Sequence, residues 1–86
     1  MPYTHSARLD YGGALDDVFD SEPREVLPTC PSGPIRLYGK FRGKAVRVDA
    51  CSDGTAWVFA RSQREANGLA RRMERKSIDL AEKLLA

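Results

Sequence analysis

The sequence predicts an α+β fold: a three-stranded antiparallel meander packed on one long C-terminal helix, preceded by an acidic, proline-containing N-terminal arm. Three observations carry this. From Ile35 apolar residues alternate with a period of two, interrupted at Arg42-Gly43 and Asp53-Gly54. From Ser62 they recur at spacings of three and four to the C-terminus, with no proline to stop a helix. The charge divides at Pro34: residues 1–34 hold two arginines against six carboxylates, a net of −4, whereas residues 35–86 hold twelve Lys and Arg against six carboxylates, a net of +6.

Residues 1–34 read as the arm. The first thirteen are polar and include Gly12-Gly13, which predicts a flexible tail. Over 14–21, Leu15, Val18 and Phe19 recur at helical spacing among Asp16, Asp17 and Asp20, so a short acidic amphipathic helix is expected, too short to persist without a surface to lie on. Pro23, Pro28, Pro31 and Pro34 then describe an extended connector.

Residues 35–86 read as a basic β-β-β-α domain. If both turn signals are two-residue loops, Tyr38 faces Arg47, Leu37 faces Val48, Ala50 faces Trp57 and Val48 faces Phe59. That register puts Ile35, Leu37, Phe41, Val46, Val48, Ala50, Trp57 and Phe59 on a buried face. It leaves Arg36, Tyr38, Lys40, Ala45, Arg47, Asp49, Cys51, Ala56, Val58 and Ala60 outside. Ser62-Gln63-Arg64-Glu65 is a capping box that opens the helix. Its apolar stripe is Ala66, Leu69, Ala70, Met73, Ser77, Leu80, Ala81 and Leu84. Gly68 costs the helix about 1 kcal/mol and is expected to mark a close approach to the sheet. A helix to the C-terminus is roughly 36 Å long against roughly 24 Å for seven-residue strands, so its end overhangs the sheet. Either the Leu15, Val18, Phe19 segment folds back over that end or two copies pair there as a homodimer.

Composition narrows the function. A chain of 86 residues suffices for one domain, and its 42% hydrophobic, 30% charged make-up is that of an ordinary soluble protein. No apolar run approaches the ~20 residues of a membrane span, and the opening residues lack a secretory signal, so a cytoplasmic location without membrane contact is expected. That compartment keeps Cys30 and Cys51 reduced. With one histidine and two distant cysteines there is no metal-ligand spacing, and no phosphate loop, nucleophile motif or cofactor signature occurs. The chain therefore reads as a binding protein rather than an enzyme, with no cofactor.

Residues 43–70, GKAVRVDACSDGTAWVFARSQREANGLA, resemble the pattern of ethylene-response-type DNA-binding domains and of the arm-site-binding domains of tyrosine recombinases. In both, a Gly-Lys opens a strand, a glycine-containing hairpin leads to a strand with tryptophan and phenylalanine, and a capped Glu-Ala helix packs behind. The matching positions are Gly43, Lys44, Gly54, Trp57, Phe59, Glu65 and Ala66. The resemblance implies groove binding by the outer sheet face, here Arg36, Tyr38, Lys40 and Arg47.

Two functional expectations follow. The first is a module whose basic sheet face contacts nucleic acid, joined by Arg71, Arg72, Arg75 and Lys76 of the helix, with the acidic arm screening that face or recruiting another protein. The second is a small inhibitor that captures a larger protein or nucleoprotein complex, either through Asp16, Asp17, Phe19 and Asp20 or through Leu80 and Leu84.

Overall fold

The computed structural model describes residues 4–11 and 15–85. Strand β1 (His5–Asp10) is followed by a 3-10 helix, η1 (Leu15–Val18), and a short strand β2 (Arg24–Val26). Then come β3 (Ile35–Phe41), β4 (Lys44–Ala50), β5 (Thr55–Ala60) and α1 (Gln63–Leu85). All strand pairs are antiparallel and the spatial order is β1-β5-β4-β3-β2. The expected α+β meander and helix are present. The sheet, however, has five strands rather than three, because two edge strands come from the stretch expected to be an arm.

Sheet width explains why that stretch is drawn in. Five strands span roughly 19 Å between the outermost axes, while a helix is only about 10–12 Å across, so one helix cannot cover the sheet. Helix α1 lies along β1 and β5. The other half is covered by Leu15, Val18 and Phe19, all buried, with η1 packed beside α1. Burying three such side chains supplies about 1.5–3 kcal/mol each, ample to hold a segment that has no helical stability alone. Phe19 fits because β3 carries Gly39 beneath it: a Cβ there would lie 2.7 Å from Phe19 Cδ1 and 3.1 Å from Pro23 Cβ. The segment does fold back, but onto the β3 half of the sheet beside α1 and not over the helix end as expected, where Ile78 and Leu84 stay exposed.

The β3–β4 hairpin has the predicted register, with Leu37 opposite Val48 and Tyr38 opposite Arg47. Arg42 (φ 54°) and Gly43 (φ 82°) both occupy the left-handed region, as a two-residue type I′ turn requires. The β4–β5 hairpin does not follow the prediction. Ala50 pairs with Ala56 and Val48 with Val58, one residue away from the expected partners. Only Gly54 (φ 90°) is left-handed there; Asp53 is not, so a type I′ turn is excluded. The loop is Ser52-Asp53-Gly54, closed by Cys51 N–H donating to the Thr55 carbonyl at 2.9 Å, which is the three-residue turn with glycine at its left-handed position. Asp53 Oδ1 accepts from Thr55 N (3.1 Å) and Thr55 Oγ1 (2.6 Å), and these bonds hold its carboxyl below the usual range. Tyr11 clamps the loop by donating N–H to the Gly54 carbonyl (3.0 Å) and O–H to the Cys51 carbonyl (2.7 Å).

One extra loop residue inverts β5. Ala56, Val58 and Ala60 are buried against α1, while Trp57 and Phe59 point to the other face, the reverse of the expectation. The core is Leu9, Val18, Leu37, Phe41, Val46, Val48, Val58, Leu69 and Met73 with the small residues around them. Helix α1 opens as predicted, Ser62 Oγ accepting from Glu65 N at 3.1 Å. Its stripe is buried from Ala66 to Ser77 and surfaces beyond, with Ile78 45% and Leu84 76% exposed, so the helix does overhang. Gly68 is not an approach to the sheet: the nearest group to its missing Cβ is the Arg72 guanidinium at 3.2 Å. No helix among the described residues is long and apolar enough to cross a membrane.

Candidate functional site

The face of the sheet away from α1 is composed of two cross-strand rows. One runs Ser6, Phe59, Arg47, Tyr38, Arg24; the other runs Arg8, Trp57, Asp49, Arg36, Val26. In the first row guanidinium groups alternate with aromatic rings, directly opposed where side chains meet across a ladder; in the second only Arg8 faces an aromatic, Trp57. The Arg47 guanidinium carbon lies 4.3 Å from the Phe59 ring centroid, and that of Arg24 lies 4.8 Å from the Tyr38 centroid, both cation–π contacts. Trp57 is 41% exposed, a large indole open to solvent in the midst of arginines.

Asp49, only 9% exposed, is the internal brace. Its Oδ1 accepts from Arg36 Nε at 3.3 Å and from Arg47 Nε at 3.4 Å, and its Oδ2 accepts from an Arg47 terminal nitrogen at 3.3 Å. One carboxylate thus fixes two guanidinium planes, bidentate on Arg47 and single on Arg36, whose side chain is 43% exposed. With Arg8, Arg24, Arg36, Lys40 and Arg47 against Asp10 and Asp49, the face keeps a net charge of +3.

The predicted residues Arg36, Tyr38, Lys40 and Arg47 all lie on this face. Arg71, Arg72 and Arg75 are exposed on α1, on the other side of the sheet. Lys76 lies near them but is engaged, donating to the Val18 carbonyl at 2.9 Å with its amine 5.9 Å from the Phe41 ring centroid. The residues expected to meet a protein partner are dispersed. Asp16 and Asp17 are exposed on η1 and Leu84 on the helix end, but Phe19 is 4% exposed in the core and Leu80 packs against it. Asp20 braces the β3–β4 turn, Oδ1 accepting from Arg42 N (2.9 Å) and Oδ2 from Gly43 N (2.8 Å). Those two backbone bonds, Gly43 first, hold its carboxyl below the usual range.

Sequence reasoning missed Arg8, Arg24, Trp57 and Phe59. The signals were present: His5–Asp10 alternates with Ala7 and Leu9 inward, and an aspartate two residues before Thr55 suits a longer loop. Among the described residues no group of three or more His, Cys, Asp or Glu could hold a metal, and Cys30 and Cys51 are free thiols. No family model, curated protein or solved structure matches the chain.

Proposed function

We propose that this chain is a non-enzymatic nucleic-acid-binding module whose outer sheet face receives a single strand. The observation that carries the reading is the outer face itself, one row alternating Phe59, Arg47, Tyr38 and Arg24 beside a second in which the exposed Trp57 stands next to Arg8. Bases of any identity stack on an indole or a guanidinium plane, while Arg8, Arg36 and Lys40 meet phosphates. A duplex fits this surface less well. The major groove is about 12 Å wide and admits a helix or a two-stranded ribbon, whereas a flat face of five strands is roughly 19 Å across. The acidic segment is seated beside α1 with Asp16 and Asp17 exposed there, which favours the recruiting role over screening of the face.

Titration with oligothymidine or oligouridine of about sixteen nucleotides tests this. Indole fluorescence is expected to quench, the log–log salt slope to approach about −0.7 per phosphate contacted, and Trp57→Ala to cost about 1–3 kcal/mol of affinity. Arg36→Ala with Arg47→Ala weakens binding, Asp16→Ala does not, and a duplex of equal length binds less tightly. Absence of quenching, or a preference for the duplex, overturns the reading.

A second reading, capture of a larger protein by the helix end, is favoured by the exposure of Ile78 and Leu84. It requires Leu84→Asp to abolish a complex or a dimer seen by sizing.

A further inference from the structure

Cation density does not stop at the edge of the sheet face. At the β3–β4 turn the chain passes from Lys40 on the outer face, through Arg42 at the tip, to Lys44 on the helix side. There two adjoining clefts that share Phe41, Arg42 and Arg72 lie between the hairpin and α1, one lined also by Lys44 and Leu69, the other by Arg75, Lys76 and Asp79. Along the first turns of α1 lies a shallow trough of about 760 Å³ in which Lys44 and Arg72 recur and Arg71 joins them. Arg42, Lys44, Arg72 and Arg75 are all exposed, and none makes an ion pair with a described residue. The nearby carboxylates offset only part of this charge: Glu65, Asp79 and the ionised Asp20 at the turn stand against Arg42, Lys44, Arg64, Arg71, Arg72, Arg75 and Lys76.

Two local features add to the charge. Arg42 is the one non-glycine at positive φ among the described residues, a conformation that disfavours side chains and that asparagine or glycine would accept more readily. Gly68 leaves room for the Arg72 guanidinium to lie back along the helix over bare backbone, 3.2 Å from where a Cβ would stand. Both departures from good local chemistry place a guanidinium at the cleft.

From this we infer that the cleft is a phosphate-binding site, and that a strand lying on the sheet face continues over the β3–β4 turn so that its backbone phosphates enter the cleft. The continuation rests on the sheet-face reading; the phosphate site does not. Four unpaired cations around an open trough, with the ring of Phe41 and the side chain of Leu69 as floor, suit a phosphodiester chain read by charge and shape, with no base discrimination.

The test uses the full chain labelled with nitrogen-15, titrated first with tripolyphosphate. Saturable shifts of the Gly43 and Gly68 amide signals are expected, and their loss in Arg72→Gln with Arg75→Gln, two exposed changes that keep good helix formers. An oligonucleotide of about four nucleotides should quench Trp57 equally in wild type and variant. One of about sixteen should bind the variant more weakly, with a salt slope smaller by about 1.4, the share of two phosphates on a single strand. Absence of tripolyphosphate shifts, or shifts unchanged in the variant, overturns the phosphate site. Equal salt slopes overturn the continuation, and displacement of tripolyphosphate by an equal charge of polyglutamate assigns the cleft to an acidic peptide instead. Failure of the four-nucleotide probe to quench Trp57 counts against the sheet face alone.

Discussion

The two hairpins of the central meander share a strand and differ in what sets their register. In β3–β4, two successive left-handed residues make a tight turn whose register is legible from the sequence, yet the carboxylate that braces it, Asp20, arrives from 22 residues away. In β4–β5 the brace is local, Asp53 bonding Thr55 within the loop, and the turn is one residue longer. The same dipeptide pattern, a polar residue before glycine, thus serves two turns of different length. The length decides which side chains see water, because side chains alternate faces at every residue.

The most severe way to break the comparison is to charge the inward face of β5. Val58→Asp buries an unpaired carboxylate where Val58 is fully enclosed, and no cooperative thermal transition should remain; Trp57→Asp should cost only about 1 kcal/mol. Circular dichroism melts check both, and the opposite ranking would restore the two-residue loop. Next comes the support for the first hairpin. Phe19→Ala should cost about 3–5 kcal/mol and Gly39→Val about 1–3, by denaturant titration, and Gly39→Ala should cost less once Phe19 is alanine, since the 2.7 Å clash is then gone and only Pro23 Cβ at 3.1 Å remains.

Smaller changes sharpen the contrast between the turns. Gly54→Ala forces a side chain into a left-handed position and should destabilise by about 1–2 kcal/mol, whereas Arg42→Gly relieves one and should stabilise by up to about 1. The smallest effect is in pH dependence. Asp20 and Asp53 both titrate below the ordinary carboxylate value of 3.8 in the fold, so each contributes stability that is present above that value and is lost as pH falls through the lowered one. Asp20→Asn and Asp53→Asn should each flatten the acid limb of stability against pH, the variants falling below wild type at neutral pH and converging on it below the lowered values, where its carboxyls are protonated.

Much of this fold is visible in the residues before any coordinates. Period-two alternation over 35–60, the capping serine at 62 and the stripe from Ala66 to Ser77 all correspond to observed elements, because each signal lies within a few residues of the structure it specifies. The outer face was only half legible. Arg36, Tyr38, Lys40 and Arg47 follow from the first turn, but Arg8, Arg24, Trp57 and Phe59 depend on edge strands and on a loop length. A six-residue strand with Ala7 and Leu9 as its inward set carries too little apolar weight to distinguish it from a polar tail, and three residues of β2 carry less.

Local chemistry by itself determined the three central strands, the first turn, the start and overhang of the helix, and the separation of acidic from basic halves. What only the tertiary structure decided is where the acidic half goes and which way β5 faces. Both outcomes draw on non-local contacts: a sheet wider than one helix must recruit Leu15, Val18 and Phe19 to close its core, and Tyr11, brought in by β1, clamps the longer loop that Asp53 braces locally and that turns Trp57 outward. The Tyr11 contacts join residues 40 and 43 positions apart, and no short-range pattern encodes them.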